Sequence, residues 1–204
     1  GPPSATLLGS RRGEGLAAAT LMGDQMDFMS LYTSRDGRIS RKTWWIGALI
    51  LGVANIVISL LLLPMIGFGG PNMALLMSGE MDAAAVSTAI TGAMQTSAWA
   101  SLVLFLVFAY PAYCLSLKRR QDKNNNGLDL LVYMGLTIVM LLLQALGLAY
   151  TMTEVQGFNM PMPNTLFMVL GFVMAVYGIY LLVVLGFLKG TSGANTYGAD
   201  PLGA

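Results

Sequence analysis

Four stretches of this chain, near Trp44 to Ile66, Ser97 to Leu117, Leu128 to Tyr150 and Thr165 to Phe187, carry no Lys, Arg, Asp or Glu in their interiors. Each is long enough to cross a bilayer core of about 30 Å, which takes roughly 20 helical residues. Apolar residues lie all round each helix rather than on one stripe, as expected for segments surrounded by lipid and by other helices. With 55% hydrophobic and only 10% charged residues, and a mean hydropathy of +0.66, the chain falls far outside the composition of soluble domains. The fold class read from these features is an all-α membrane protein with four transmembrane helices in a bundle. The first helix begins too late and runs too long for a cleaved signal peptide, so it is expected to stay in the mature protein.

The cations are sided. Lys and Arg occur at 11, 12, 35, 38, 41 and 42, at 118, 119, 120 and 123, and at 189, whereas the connections Gly67 to Thr96 and Thr151 to Asn164 carry only Glu80, Asp82 and Glu154. Positive residues mark the cytoplasmic face of bacterial-type membranes, which places both termini inside. The net charge of +1 therefore conceals a basic inner face and an acidic outer one. The organisation expected is a flexible arm or expression remnant over 1–26, with a short helix across Gly15 to Met22, and a membrane domain over 27–203. The outer loop opens on the turn cluster Gly67 to Pro71. It should then run as a helical turn or two into the second span.

Composition also removes most catalytic chemistry. There is no His, and Cys114 is the single Cys. A His or multi-Cys metal site, a Ser/His/Asp triad and an internal disulfide cannot be built from this chain. The near-neutral charge gives no support for nucleic-acid binding. No cofactor and no metal are expected. Met152, Met160 and Met162 invite comparison with a thioether copper site, but they lack a Cys or His companion. Met more commonly fills apolar gaps.

Within the spans, Asn55 and Ser59 lie four apart on one helical face, and Gln144 lies in the third helix. An amide without a partner is costly in hydrocarbon, so these groups are expected to point inward and bond across helices. Packing is favoured over a substrate path because two amides and no charge make a poor relay. Pro111 should kink the second helix near Val107. The pairs Ala48 and Gly52, and Gly171 and Ala175, have the small-xxx-small spacing that permits close helix approach.

Three polar motifs fall on the predicted inner face. Gly37-Arg38-Ile39-Ser40-Arg41-Lys42-Thr43-Trp44-Trp45 enters the first helix, with Ser40 as N-cap and the two Trp at aromatic-belt level. Arg38 and Arg41 oppose the helix macrodipole there, so an anionic group should offset them. Lys118-Arg119-Arg120-Gln121-Asp122-Lys123-Asn124-Asn125-Asn126-Gly127 is a short connection that makes the second and third helices antiparallel neighbours, with Asp129 in the first turn beyond it. The last motif is Gly190-Thr191-Ser192-Gly193-Ala194-Asn195-Thr196-Tyr197-Gly198-Ala199-Asp200-Pro201.

These motifs resemble the YhaH-like bacterial inner-membrane family, named only as a domain of unknown function, number 805. The entry matches at Gly37, Arg38, Arg41, Trp44 and Trp45, and the loop at Lys118, Arg119, Asp122 and Gly127. The tail matches at Gly190, Gly193, Asn195, Tyr197, Gly198, Asp200 and Pro201. The likeness extends over about Asp27 to Gly203. Gln121 stands where many members have His, so a titrating role for that residue is absent here. The resemblance implies a four-helix membrane domain with cytoplasmic termini, and it carries no activity.

Arg38, Arg41, Lys118, Arg119, Arg120, Asp122, Asn195, Tyr197 and Asp200 should meet at one membrane surface. The first reading is a latch, in which the tail folds under the helices, Asp122 and Asp200 pair with arginines, and Asn195 bonds helix-end backbone. The second, compatible with it, is a contact with anionic phospholipid. The function read from the sequence is a non-catalytic protein of the bacterial inner membrane. It would be an accessory, assembly or scaffold subunit with a membrane partner or a second copy of itself. A small transporter or channel is the alternative.

Overall fold

The computed structural model describes residues 28–65, 78, 82–155 and 158–203. The expected arm over 1–26, its short helix and the turn cluster after Gly67 lie outside them. Among the described residues, four helices are long and apolar enough to cross a membrane: Arg41–Leu61, Ala83–Gln121, Leu128–Ala145 and Thr165–Phe187. The chain is a mostly helical, multi-pass membrane protein.

A short helix α1 (Phe28–Thr33) precedes α2 (Arg41–Val57). Ser40 caps α2 as expected, its hydroxyl accepting from the Thr43 amide at 3.2 Å. α2 widens into a π-helical turn at Ile58–Leu62 and ends with Leu63–Met65. Asp82 caps α3 (Ala83–Gln121) through the Ala85 amide at 2.7 Å. An Asn-rich turn then leads to α4 (Leu128–Ala145). There Asn124 and Gly127 adopt positive φ of 56° and 72°, and Asn125 Oδ1 accepts from the Gly127 amide at 2.8 Å. The last helix, α5 (Thr165–Leu182), is capped by Asn164 and ends in a second π-helical turn, Val183–Phe187.

Three boundaries differ from the sequence reading, one of them the inner end of α3, which runs to Gln121 rather than Leu117 and takes Lys118, Arg119 and Arg120 into its last turn. α3 begins at Ala83, not Ser97, and carries Pro111 inside one uninterrupted helix. At 39 residues it is about 58 Å long, nearly twice a bilayer core, so its first turns stand clear of the hydrocarbon. The stretch from Ala83 to Thr96 is rich in Ala and Thr with only Gly92 as a mild breaker, and nothing in it ends a helix. α4 stops at Ala145, not Tyr150, because Gly147 takes φ 75° and turns the chain. Beyond it, β1 (Tyr150–Val155) and β2 (Phe158–Pro163) form an antiparallel hairpin, with Tyr150 opposite Pro163 and Met152 opposite Pro161. β2 packs on the outer part of α3. Thr151 pairs with Met162 and Thr153 with Met160, which puts Met160 and Met162 on one face and Met152 on the other. Three thioethers therefore do not converge there.

α3 packs against α2 and α4, α4 against α5, and the π turn after α5 against α2 and α3. The buried core of Leu31, Ile39, Trp44, Leu115, Leu117, Leu130, Leu181 and Leu185 sits at the end opposite the hairpin. Further along the spans, Leu49, Val103, Leu106 and Phe172 are exposed, as lipid-facing side chains are. Close helix approach occurs at residues other than the expected pairs. A Cβ on Gly47 would lie 2.7 Å from Leu115 Cδ1, and one on Gly186 2.8 Å from Trp45 Cζ2, whereas Gly52 has open space and Gly171 only Met140 Cε at 3.9 Å. Trp44 is correspondingly buried in the core rather than placed in an aromatic belt.

Candidate functional site

The polar end is built by three segments: the approach to α2, the last turn of α3 and the tail after α5. The last turn of α3 points Arg119 and Asp122, three residues apart, along one face. Asp122 is 3% exposed and Arg119 1% exposed. Burial of one carboxylate and one guanidinium is tolerable only when each finds charged and hydrogen-bonded partners, and both do. Asp122 Oδ2 is ion-paired with Arg119 Nη1. Its Oδ1 accepts from Arg38 Nε at 3.1 Å and lies 3.0 Å from Arg38 Nη2. One carboxylate thus joins the entry segment to the end of α3.

The remaining guanidinium donors go to backbone carbonyls. A helix C-terminus leaves its last carbonyls unpaired and carries the negative end of the macrodipole, so cations are favoured there. Arg119 Nε donates to Leu185 O at 2.9 Å and its Nη2 to Leu188 O. Arg41 donates to Phe187 O at 3.1 Å, and the Trp45 indole to Gly186 O at 3.1 Å. Four consecutive carbonyls around the terminal π turn are therefore satisfied by side chains from α2 and α3. Arg41 caps a helix end here; it meets no carboxylate among the described residues.

Arg38 performs the same service for the tail. Its Nη1 donates to Gly193 O at 2.7 Å and Gly198 O at 3.1 Å, and its Nη2 to Thr191 O at 2.6 Å. The tail answers toward α3. The Thr191 amide and hydroxyl donate to Asp122 O at 2.9 and 3.0 Å, and Asn195 Nδ2 donates to Gln121 O at 2.9 Å. Asn195 Oδ1 accepts the Tyr197 amide at 2.8 Å, so Tyr197 enters through its backbone. A Cβ at Gly190 would collide with the Asp122 carboxylate, which explains a glycine at that point of the path.

One of the expected pairings is corrected. Asp200 pairs with no arginine among the described residues; its carboxylate accepts the Gly193 amide at 2.9 Å and the Leu202 amide at 3.0 Å, closing the tail on itself. The Leu202 and Gly193 bonds hold the Asp200 carboxyl below the ordinary carboxylate range. A lowered folded value means stability that is present above the ordinary carboxylate pKa and lost as pH falls through the folded value. Protection of the Gly193 and Leu202 amides, measured by hydrogen exchange corrected for intrinsic rate, is expected to persist at neutral pH and to fall as pH drops below the ordinary carboxylate range. Unchanged protection in Asp200→Asn would contradict this role.

Arg120 belongs to a second, separate pair. Its Nη2 lies 2.7 Å from Asp129 Oδ2, and Tyr177 donates to Asp129 O at 2.8 Å, so Asp129 ties α3 and α5 to the start of α4 in addition to facing the helix dipole. Lys118 donates to Ser30 O and holds α1. Lys123 donates to Lys189 O at 3.3 Å, and burial, with Arg119 and Arg120 close by, pushes its ammonium below the usual lysine value.

The intramembrane polar residues also behave differently from expectation. Asn55 and Ser59 make no hydrogen bond to another helix among the described residues. They line a cavity of about 540 Å³ between the four spans instead. Gln144 accepts from the Tyr150 hydroxyl at 3.4 Å, a contact within the hairpin end rather than across the spans. Thr191, Gly190 and Tyr177 were not singled out by sequence reasoning as site residues. Gly190 could have been found from its place directly after the last span, where the returning chain must pass the buried carboxylate.

Four apolar spans closed at one end by a buried arginine and carboxylate cluster, under a tail that returns to it, define the class: a multi-pass helical membrane protein with a charge cluster buried at one end. The chain belongs to the family described as protein of unknown function (DUF805), which it matches over residues 32–199. No curated protein and no solved structure matches it.

Proposed function

We propose that this chain is a non-catalytic protein of the bacterial cytoplasmic membrane, with both termini inside, serving as an accessory or scaffold subunit of a larger membrane complex. The observation that carries this reading is where its charges go. Arg38 and Arg119 share Asp122, Arg120 takes Asp129, and Arg38, Arg41 and Arg119 direct further donors to backbone carbonyls. A catalytic or ligand site holds charge in reserve for what it binds; a latch spends it on the fold. Contact with anionic phospholipid is then left to the exposed Arg41, Lys42 and Lys189. The cationic segments lie at one end and the acidic Glu154 at the other, in agreement with the charge rule for orientation. The transporter reading draws on Asn55 and Ser59 in the cavity, but no charged group accompanies them there.

Reporter fusions test the orientation. Fusions at Asn125 and Leu202 are expected to read as internal and one at Met160 as external; a reversed reading at any of them overturns the topology. Gentle extraction from native membranes is expected to bring down a stoichiometric membrane partner. Recovery as a lone monomer that moves a solute across vesicle membranes would overturn the scaffold reading in favour of transport.

A further inference from the structure

The 540 Å³ cavity between the spans is long and narrow. It is lined along α3 from Ser101 to Ser116, about 22 Å at 1.5 Å per residue, which leaves a cross-section of about 25 Å². That is about 5 Å across, close to the spacing at which extended chains pack side by side. Its wall is mostly apolar, with Leu104, Phe105, Phe108 and Leu141 in it, and no charged residue lines it among the described residues. An apolar space of this kind stays dry, and in a bilayer the available filler is hydrocarbon. A single hydrocarbon chain fits these dimensions.

The polar groups set into that wall differ in what they need. Ser101 donates to Ser97 O at 2.8 Å and asks nothing of the cavity. Asn55, Ser59, Ser116 and Tyr133 line the same space, are half-buried, and make no side-chain hydrogen bond among the described residues. Unlike Trp44 Nε1 and Gln121 Oε1, which are closed off, their polar atoms keep accessible surface. Asn55 stands about 16 Å along α2 from Trp44, and Phe108 about 14 Å along α3 from Leu117, each near the middle of a bilayer core of about 30 Å. An amide at that depth, with two donors and an acceptor unmet, is costly unless something in the cavity bonds to it. Whatever does so is uncharged, since a phosphate or carboxylate there would meet no cation and bear the full cost of desolvation. Ser116 and Tyr133 lie only about 8 Å from the inner ends of α3 and α4, close enough to the aqueous face for water to satisfy them.

We propose that this cavity binds a lipid of one hydrocarbon chain whose head is uncharged and carries carbonyl or hydroxyl oxygens, as an isoprenoid quinone or a monoacylglycerol does. The chain occupies the apolar length of the cavity. The head sits at mid-depth, its oxygens accepting from Asn55 Nδ2 and the Ser59 hydroxyl, with Phe105 and Phe108 at a similar level of α3. Ser59 follows Asn55 by about one helical turn and lines the same space, so one head can meet both. The site draws on no residue of the charge cluster and is independent of the scaffold reading.

The test titrates the delipidated full-length protein in detergent with a short-tailed isoprenoid quinone, a monoacylglycerol and a lysophosphatidylglycerol of the same acyl chain, reading bound lipid by native mass spectrometry. At least one of the two uncharged lipids is expected to bind about tenfold more tightly than the charged one, the least that burying an unpaired charge should cost. Preference for the quinone assigns a ring head and preference for the glyceride an ester head; either supports the site. Asn55→Leu is expected to weaken that binding about tenfold while the unfolding temperature of the lipid-free protein holds or rises, because the amide has no protein partner to lose. Ala109→Phe, which adds bulk to the cavity wall, should lower binding of the preferred lipid. Binding of lysophosphatidylglycerol as tight as that of the uncharged lipids, or no binding of either uncharged lipid, overturns the proposal. So does an Asn55→Leu protein that is less stable yet binds as the unmodified chain does, since Asn55 would then be a packing group.

Discussion

Asp122→Asn is expected to cost about 3–5 kcal/mol of stability, the penalty for removing one partner of a buried ion pair. Two guanidinium groups, Arg38 and Arg119, converge on this one carboxylate, with side chains of all three 5% exposed or less. The amide keeps the shape and removes the charge, so both cations are left buried beside a neutral group. The spans themselves are untouched. Membrane insertion should therefore be normal, while the unfolding temperature in detergent drops sharply, since typical total stabilities are only about 5–15 kcal/mol. Asp122→Glu is not expected to rescue, because Gly190 presses against the carboxylate and leaves no room for another methylene. An Asp122→Asn protein as stable as the parent would show that the two arginines are solvated or paired elsewhere.

Gly190→Ala should act on the same cluster from the tail side. The new methyl meets the Asp122 carboxylate, and relieving that collision requires the tail to lift from α3 or the carboxylate to leave its arginines. Overpacking of this kind costs about 1–3 kcal/mol. The local readout is trypsin cleavage after Lys189, an exposed residue whose flanking backbone is held by Thr191 on Asp122 O and by Arg119 on Leu188 O. Cleavage is expected to accelerate several-fold in the variant; an unchanged rate would mean that the tail does not follow this path.

The four spans were legible because a charge-free run of some 20 apolar residues has few other fates in a chain this poor in polar groups. The outward extension of α3 was less so. Ala83 to Thr96 is neither apolar enough for a span nor broken enough for a loop, and its helicity rests on the Asp82 cap and on packing against β2. The hairpin was hidden by Pro161 and Pro163, which argue against a strand wherever ladder donors are needed. In a sheet of two strands each proline can turn its nitrogen outward, so that objection loses force.

At the polar end, the sequence brought nine residues to one surface and left their pairing open. Arg119 and Asp122 could be matched by their spacing on a helix. The contacts of Arg38 across 84 residues to Asp122 and 155 residues to Gly193 O could not, because they depend on how α2 and the tail meet α3. Asp200 illustrates the limit. A carboxylate near four or more cations reads as an ion-pair partner, yet two backbone amides closer in sequence claim it first. The pairing of Asn55 and Ser59 across helices presumes that the helices close around them; the cavity between the spans removes that premise.

A double-mutant cycle between Asp122→Asn and Asn195→Ala tests the latch most directly. Asn195 reaches α3 through Gln121 O, and within the tail it also donates to Thr191 Oγ1 at 2.9 Å; it does not touch Asp122 itself. If the carboxylate organises the tail, its loss already releases Asn195, and the second substitution should add almost nothing in the Asp122→Asn background. The unfolding free energies should then show a coupling within the range of about 0.5–3 kcal/mol found for residues in one network. Strict additivity of the two costs would mean that the tail holds to α3 without the arginine and carboxylate cluster, and the latch account would be wrong.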